Sequence, residues 1–146
     1  MSKIVRTLRG KIRAENAATG DTGKERVIVD DGVFTDGWKV VGFDVFPTNG
    51  TGLDVQGLLS IDEGGLVGGW DASDNRQIAW SFMFIGTNGG TANSWIVPDH
   101  VVIRDLWIQN FGPEAMNYLI RVERQTLSDD QAILALIQER AQDDLN

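Results

Sequence analysis

The stretch QIAWSFMFI, residues 77–85, is typical of the segments that decide the fold of this chain. It is rich in β-branched and aromatic residues, and Asn and Gly residues that favour turns lie on either side of it. Five further segments share this character: residues 26–30, 38–46, 53–61, 100–108 and 116–124. A sixth segment, residues 2–14, alternates apolar with basic side chains. Together they predict seven or eight β-strands, because residues 2–14 form either one long bent strand or a strand pair.

The connections between these segments are short and carry glycine turns instead of helices. Four Asp-Gly or Asn-Gly pairs are typical of tight turns between antiparallel strands: residues 31–32, 36–37, 49–50 and 88–89. A parallel sheet would need helical crossovers, which this pattern lacks. We therefore expect a mainly β chain with an antiparallel β-sandwich over residues 1–127, for which a jelly roll is one of the available strand orders.

The segment TLSDDQAILALIQERAQDD, residues 126–144, predicts a C-terminal amphipathic helix within residues 128–146. Ser128 and Gln131 form a capping box, and acidic residues follow Ser128, where the helix dipole favours negative charge. The apolar side chains share one broad face: Ile133, Leu134, Leu136, Ile137, Ala141 and Leu145. Burying four large side chains of this kind contributes on the order of 6–10 kcal/mol before entropy is subtracted. We expect either the sheet of this chain or a neighbouring subunit to cover that face.

Charge is distributed unevenly along the chain of 146 residues, whose net charge is −8. Five bases precede the first acid, Glu15: Lys3, Arg6, Arg9, Lys11 and Arg13. The remaining chain carries eight bases against its 21 acids. Such an acidic body repels phosphate, so nucleic acid would contact only the stretch from Lys3 to Arg13. We expect these bases, Arg6 and Arg9 among them, to pair with acids of the body or of another subunit.

Catalysis has little support in this composition. The chain has no cysteine, which excludes disulfides, thiolate nucleophiles and zinc-thiolate sites. Its one histidine, His100, follows Asp99, but adjacent residues of a strand point to opposite faces, so Asp99 is poorly placed to orient it. Asp71, Asp74 and Asn75 form an Asx-rich turn without the spaced ligand pattern of a calcium loop. We therefore expect no enzymatic activity, no cofactor and no metal site.

Five tryptophans are a high number for a chain of this length. Trp80 and Trp107 lie in strongly apolar segments and are expected in the core. Trp70 and Trp95 adjoin glycine-rich stretches, and Trp95 lies in the segment 86–99, which the sequence predicts as a loop. Tryptophans on a β-sandwich can stack on sugar rings. The alternative function is therefore a carbohydrate- or receptor-binding module that uses Trp70 and Trp95.

The C-terminal third of the chain carries a resemblance to a known class of proteins. WIVPDHVVIRDLWIQN, residues 95–110, and NYLIRVERQTLSDDQAILALIQERAQDD, residues 117–144, are similar to the ending of small β-rich virion proteins of marine bacterial viruses. In those proteins a last strand leads through a short turn into a closing helix. The resemblance implies a capsid-type β-sandwich in many symmetry-related copies, with contacts through the N-terminal strand and the helix.

The function that these observations favour is a non-enzymatic structural subunit that self-associates. Its expected partners are further copies of this chain or other virion proteins. No apolar run approaches the ~20 residues that a membrane-spanning helix needs, and the N-terminus lacks the form of a secretory signal. The expected location is the virion if the protein is viral, and otherwise the cytoplasm.

Overall fold

Eight β-strands and one α-helix make up the described part of the chain in the computed structural model, which comprises residues 4–30, 32–33, 35–48, 54–86, 89–97, 100–102 and 104–144. The strands are β1 (Val5–Ile12), β2 (Lys24–Ile28), β3 (Asp36–Pro47), β4 (Val55–Ser60), β5 (Gln77–Gly86), β6 (Gly89–Ile96), β7 (Asp105–Asn110) and β8 (Met116–Thr126). A short 3₁₀ turn, Glu63–Leu66, follows β4. The helix α1 (Asp129–Asp144) follows β8.

The strands form two antiparallel sheets. One sheet has three strands in the order β1-β8-β3, and the other has five in the order β2-β7-β4-β5-β6. The sheets pack face to face, which confirms the predicted mainly β sandwich with a C-terminal helix. The jelly-roll order is not confirmed, because the strands divide into three and five.

Two predictions of turns or loops from the sequence are wrong. The segment 86–99 contains β6, which pairs with β5 along its whole length. β6 is the edge strand of its sheet and its side chains are mostly exposed, so it does not need the apolar alternation that marks a half-buried strand. The pair Asp36-Gly37 begins β3 instead of forming a turn. Each of the other three glycine pairs includes a residue outside the described part of the chain.

The main core lies between the two sheets. The three-stranded sheet contributes alternate residues of β8 and β3, with a β-bulge between Val40 and Gly42 that turns Val41 outward. The buried members from these strands are Trp38, Val40, Phe43, Val45, Met116, Tyr118, Ile120 and Val122. The five-stranded sheet contributes Val27, Val55, Leu59, Ile78, Ala79, Leu106 and Ile108. These side chains form one continuous cluster, so the two sheets make a single folding unit.

Gly57 permits the close approach of the sheets at the centre of this core. A Cβ atom added there would lie 2.8 Å from Cγ1 of Val45 and 3.2 Å from Cε of Met116. A side chain at this position would therefore push β4 away from the three-stranded sheet.

A second, smaller cluster covers part of the outer face of the five-stranded sheet. Leu58 of β4 and Trp80 of β5 are cross-strand neighbours, and Leu66 of the 3₁₀ turn packs on them. Trp107 is partly buried against the same cluster. Trp80 and Trp107, which the sequence predicts in the core, therefore pack in this outer cluster and not between the sheets. The loop between β4 and β5 covers the cluster.

The helix α1 begins with the capping box that the sequence predicts. The Ser128 amide donates to Gln131 Oε1 at 3.0 Å, and the Gln131 amide donates to Ser128 Oγ at 3.2 Å. Ala132 in the first turn is fully buried, and the helix lies near the 3₁₀ turn. Within the described residues, no helix combines the length and the apolar character that crossing a bilayer requires.

Candidate functional site

Three apolar side chains of α1 are exposed on one side of the helix, and we call this group the helix face. Its members are Ile133, Leu134 and Ile137, whose exposed fractions are 49%, 57% and 56%. At 100° per residue, they fall within one sector of the helix surface. A group of large apolar side chains exposed together is a candidate surface for contact with another molecule.

The opposite side of α1 is the one that contacts the body of the protein. Ala132 is fully buried, and Ala135 and Leu136 are partly buried on the same side. The sequence predicts a single broad apolar face that joins Leu136 to Ile133, Leu134 and Ile137. The structure instead divides the apolar residues into an inward side of mainly small residues and an outward side of large ones. Ala141 lies within α1, but its side chain and Leu145 lie outside the described part of the chain.

The two predicted interface arginines of β1 occupy different environments. The Arg6 guanidinium donates to the Val29 carbonyl at 2.8 Å and lies 4.7 Å from the ring centre of Trp38, so Arg6 is engaged within the chain. Arg9 is exposed on the outer side of the three-stranded sheet, as is Lys11. Lys3 lies outside the described residues. Of the two arginines, Arg9 is therefore the one that a second molecule can reach.

Four aromatic side chains form a continuous row on the outer face of β5 and β6, and we call this row the aromatic strip: Trp70, Trp95, Phe82 and Phe84. Consecutive ring centres lie 6.3, 5.7 and 4.6 Å apart, and the planes of Trp70 and Trp95 meet at 73°. Trp70, Trp95 and Phe84 are 39%, 47% and 38% exposed. The structure thus brings together the two tryptophans that the sequence selects as surface candidates.

Two members of the aromatic strip, Phe82 and Phe84, were not among the surface aromatic residues that the sequence predicts. The signal for them is the alternation in QIAWSFMFI, which places them on the same face of β5 as Trp80. The pairing of Trp80 with Trp95 across the hairpin then brings Trp95 next to Phe82. That second step depends on β6, which the sequence pattern does not reveal.

Gln77, which is 2% exposed, fixes the position of Trp70. Its amide nitrogen donates to the carbonyls of Gly65 and Gly69, at 2.9 and 2.8 Å. Its amide oxygen accepts from the Asp71 amide at 2.8 Å and from Trp80 Nε1 at 2.9 Å. Because Gly69 and Asp71 flank Trp70 in the chain, this one side chain ties the loop on both sides of Trp70 to the sheet.

Buried polar groups also hold the start of the loop between β4 and β5 by hydrogen bonds. Ser60 Oγ donates to the Arg76 carbonyl at 3.1 Å and accepts from the Asp62 amide at 3.3 Å. Asp62, which is fully buried, accepts from the Gly65 amide at 2.9 Å and so caps the 3₁₀ turn. The loop between β4 and β5 is therefore held by hydrogen bonds at both ends as well as at Gln77.

The carboxylates of Asp71 and Asp74, in the turn that the sequence predicts, accept hydrogen bonds from neighbouring residues of the same loop. Asp71 Oδ1 accepts from the amide and the hydroxyl of Ser73, at 3.0 and 2.6 Å. Asp74 accepts two hydrogen bonds of 2.9 Å from the Arg76 guanidinium, one on each oxygen. These side-chain hydrogen bonds from Arg76 hold the pKa of the Asp74 carboxyl below its ordinary value, against the opposing effect of burial.

His100, the one histidine, is partly buried, and the neighbouring Asp99 lies outside the described part of the chain. Among the described residues, no group of three or more histidines, aspartates or glutamates is arranged to hold a metal ion. The helix face and the aromatic strip each group exposed apolar side chains at the surface, where another molecule can contact them.

The first prediction concerns Gln77. Replacing it by leucine removes four hydrogen bonds from buried or partly buried groups, so Gln77→Leu is expected to lower the free energy of unfolding by about 2–4 kcal/mol. Denaturant unfolding measures this loss, and the tryptophan emission of the folded variant is expected to change because Trp70 loses its anchor. Gln125→Leu is the matched control, because the Gln125 amide donates a long 3.4 Å hydrogen bond to Glu123. An equal loss in both variants would contradict the anchoring role.

The second prediction concerns acid stability. Because the folded state lowers the pKa of Asp74, the stabilising contribution of its carboxylate is complete above about pH 4 and is lost as the pH falls through the folded-state pKa. Asp74→Asn is therefore expected to be less stable than the wild type at pH 7, and the difference should shrink in acid. Denaturant unfolding at pH 7 and near pH 3 measures this. Asp44→Asn, which removes an exposed pair with Arg121, is the control and should cost less stability at pH 7 than Asp74→Asn does.

Comparison with protein-family models, with curated proteins and with solved structures finds no match for this chain. The similarity of its C-terminal segments to virion proteins therefore stays a prediction. The function has to be inferred from the geometry of the two surfaces.

Proposed function

We propose that this protein is a non-enzymatic structural subunit that self-assembles, of the kind that forms virions and other protein shells. The observation that carries the proposal is the outward orientation of Ile133, Leu134 and Ile137 on α1. The helix already packs on its own chain through Ala132 and its neighbours, so its larger apolar residues remain available to a second molecule. A second copy of this chain is the partner that we infer, because the chain also offers a complementary surface.

That complementary surface is the outer side of the three-stranded sheet, which we call the sheet face: Val5, Arg9, Lys11, Val41 and Leu119. Arg9 and Leu119 are cross-strand neighbours on β1 and β8. Val5 and Val41 are exposed, and Leu119 is partly buried. The sheet face thus combines apolar side chains with two exposed bases, and the exposed ion pair of Arg121 with Asp44 lies beside them on the same side of the sheet.

Charge complementarity supports pairing of the sheet face with the helix face of another copy. Asp130 is exposed and lies one turn before Ile133 and Leu134, so it falls in the same sector of α1. A carboxylate beside the apolar helix face matches the bases Arg9 and Lys11 beside the apolar part of the sheet face. This arrangement is a reason to assign the basic strand to contacts with protein and not to nucleic acid.

The energy of such a contact favours assembly in many copies. Completing the burial of three half-exposed aliphatic side chains contributes about 1 kcal/mol each, or about 3 kcal/mol in all. Bringing two molecules together costs roughly 4–15 kcal/mol, so one contact of this size is weak by itself. Each subunit would donate its helix to one neighbour and accept the helix of another. Such head-to-tail contacts build open arrays or closed rings, and closing a ring adds one contact without a further association cost.

The third prediction tests the helix face. The triple variant Ile133→Ser, Leu134→Ser, Ile137→Ser loses about 3 kcal/mol per contact, so the protein concentration at half assembly is expected to rise about 100-fold. Light scattering over a concentration series measures this, and circular dichroism checks that the variant is folded. Ile28→Ser is the control, because Ile28 is similarly exposed but lies on β2. A wild-type monomer at every concentration would contradict the proposal.

The fourth prediction tests the complementary charges. Arg9→Glu and Asp130→Lys are each expected to weaken assembly, since each places like charges opposite one another in the contact. The double variant restores opposite charges and should assemble better than either single variant. The same light-scattering series at low and high salt measures the effect, which salt should reduce. Additive weakening in the double variant would mean that these two residues do not face one another.

A further inference from the structure

The aromatic strip is a surface that assembly through the helix face and the sheet face does not use. Its four rings are in contact in one row, yet three of them remain more than one third exposed. Gln77 holds the loop that carries Trp70 so that this ring stands beside Trp95. The buried amide of Gln77 therefore helps to keep the Trp70 ring at the surface.

The strands beneath the aromatic strip carry no charge. β4, β5 and β6 contain no Asp, Glu, Lys or Arg, although 23% of the residues of the chain are charged. A phosphate, sulfate or carboxylate on a ligand would find no cation on these strands. The net charge of −8 adds a general repulsion of anions. Nucleic acids and acidic polysaccharides are thereby disfavoured.

Uncharged hydrogen-bonding side chains flank the rings. Gln56 of β4 and Asn93 of β6 are the two cross-strand neighbours of Phe82, one on each side. Thr91 is the cross-strand neighbour of Phe84. Cross-strand neighbours share a face of the sheet, so these amide and hydroxyl groups border the aromatic strip. The surface thus combines ring systems with neutral donors and acceptors.

We propose that the aromatic strip is a binding platform for a neutral oligosaccharide. One side of a pyranose ring is lined by C–H groups and stacks on an aromatic ring, while its hydroxyls need neutral donors and acceptors such as Gln56 and Asn93. The ring centres lie 4.6–6.3 Å apart, so the four rings form a continuous aromatic surface along which more than one sugar unit can lie. Anchoring of Trp70 by Gln77 prepares the platform before the ligand arrives.

The test uses four neutral hexasaccharides, namely cellohexaose, maltohexaose, chitohexaose and mannohexaose, with a heparin hexasaccharide as the anionic counterpart. Titration of the wild-type protein is followed by tryptophan fluorescence and by calorimetry. At least one neutral hexasaccharide is expected to bind saturably and more tightly than the heparin fragment. Trp95→Ala should weaken this binding at least tenfold, while Trp95→Phe, which keeps a ring, should retain most of it. Ile28→Ala removes an exposed apolar side chain at the opposite edge of the same sheet and should leave binding unchanged.

The proposal is overturned if none of the four neutral hexasaccharides binds, if the heparin fragment binds as tightly, or if Trp95→Ala binds like the wild type with its fold intact. Thermal unfolding of each variant checks the fold. Light scattering of Trp95→Ala separates this site from assembly, because the variant should assemble as the wild type does. Loss of assembly in Trp95→Ala would identify the aromatic strip as a protein-docking surface and would likewise overturn the saccharide proposal.

Discussion

The five-stranded sheet carries apolar side chains on both faces, and the need to cover both faces organises the rest of the fold. Its inner face is covered by the three-stranded sheet, with Gly57 allowing the close approach. Its outer face also carries apolar side chains, among them Leu58 and Trp80, and the loop between β4 and β5 covers these through Leu66. The cover ends before the far part of the β5–β6 hairpin, where the aromatic strip remains exposed.

The outer cover is held by polar groups as much as by apolar contact. Gln77 satisfies two carbonyls, one backbone amide and one indole from a buried position, in addition to the hydrogen bonds that the loop makes within itself. The same amide sets the position of Trp70. Stability of the outer cover and the shape of the proposed binding surface are therefore linked through one side chain.

The helix face and the aromatic strip lie on separate elements, so one subunit can use both surfaces at the same time. The helix face belongs to α1, whereas the aromatic strip belongs to the β5–β6 hairpin and the loop beside it. A subunit that assembles through α1 and β1 would then present an aromatic strip in every copy. Repeated weak saccharide contacts on one particle would add to a strong attachment, because linked sites bind with a high effective concentration.

Features that depend on local physics can be predicted from the amino-acid sequence. Alternating apolar residues and glycine connections predict the antiparallel sandwich, and Ser128 with Gln131 predicts the start of α1, because a capping box involves four successive residues. The packing of separate segments sets which side of α1 meets the body, turns Arg6 inward to Trp38, and places Trp95 on a strand beside Phe82. Each of these depends on groups that are distant in the chain, and no local pattern specifies which distant group will arrive.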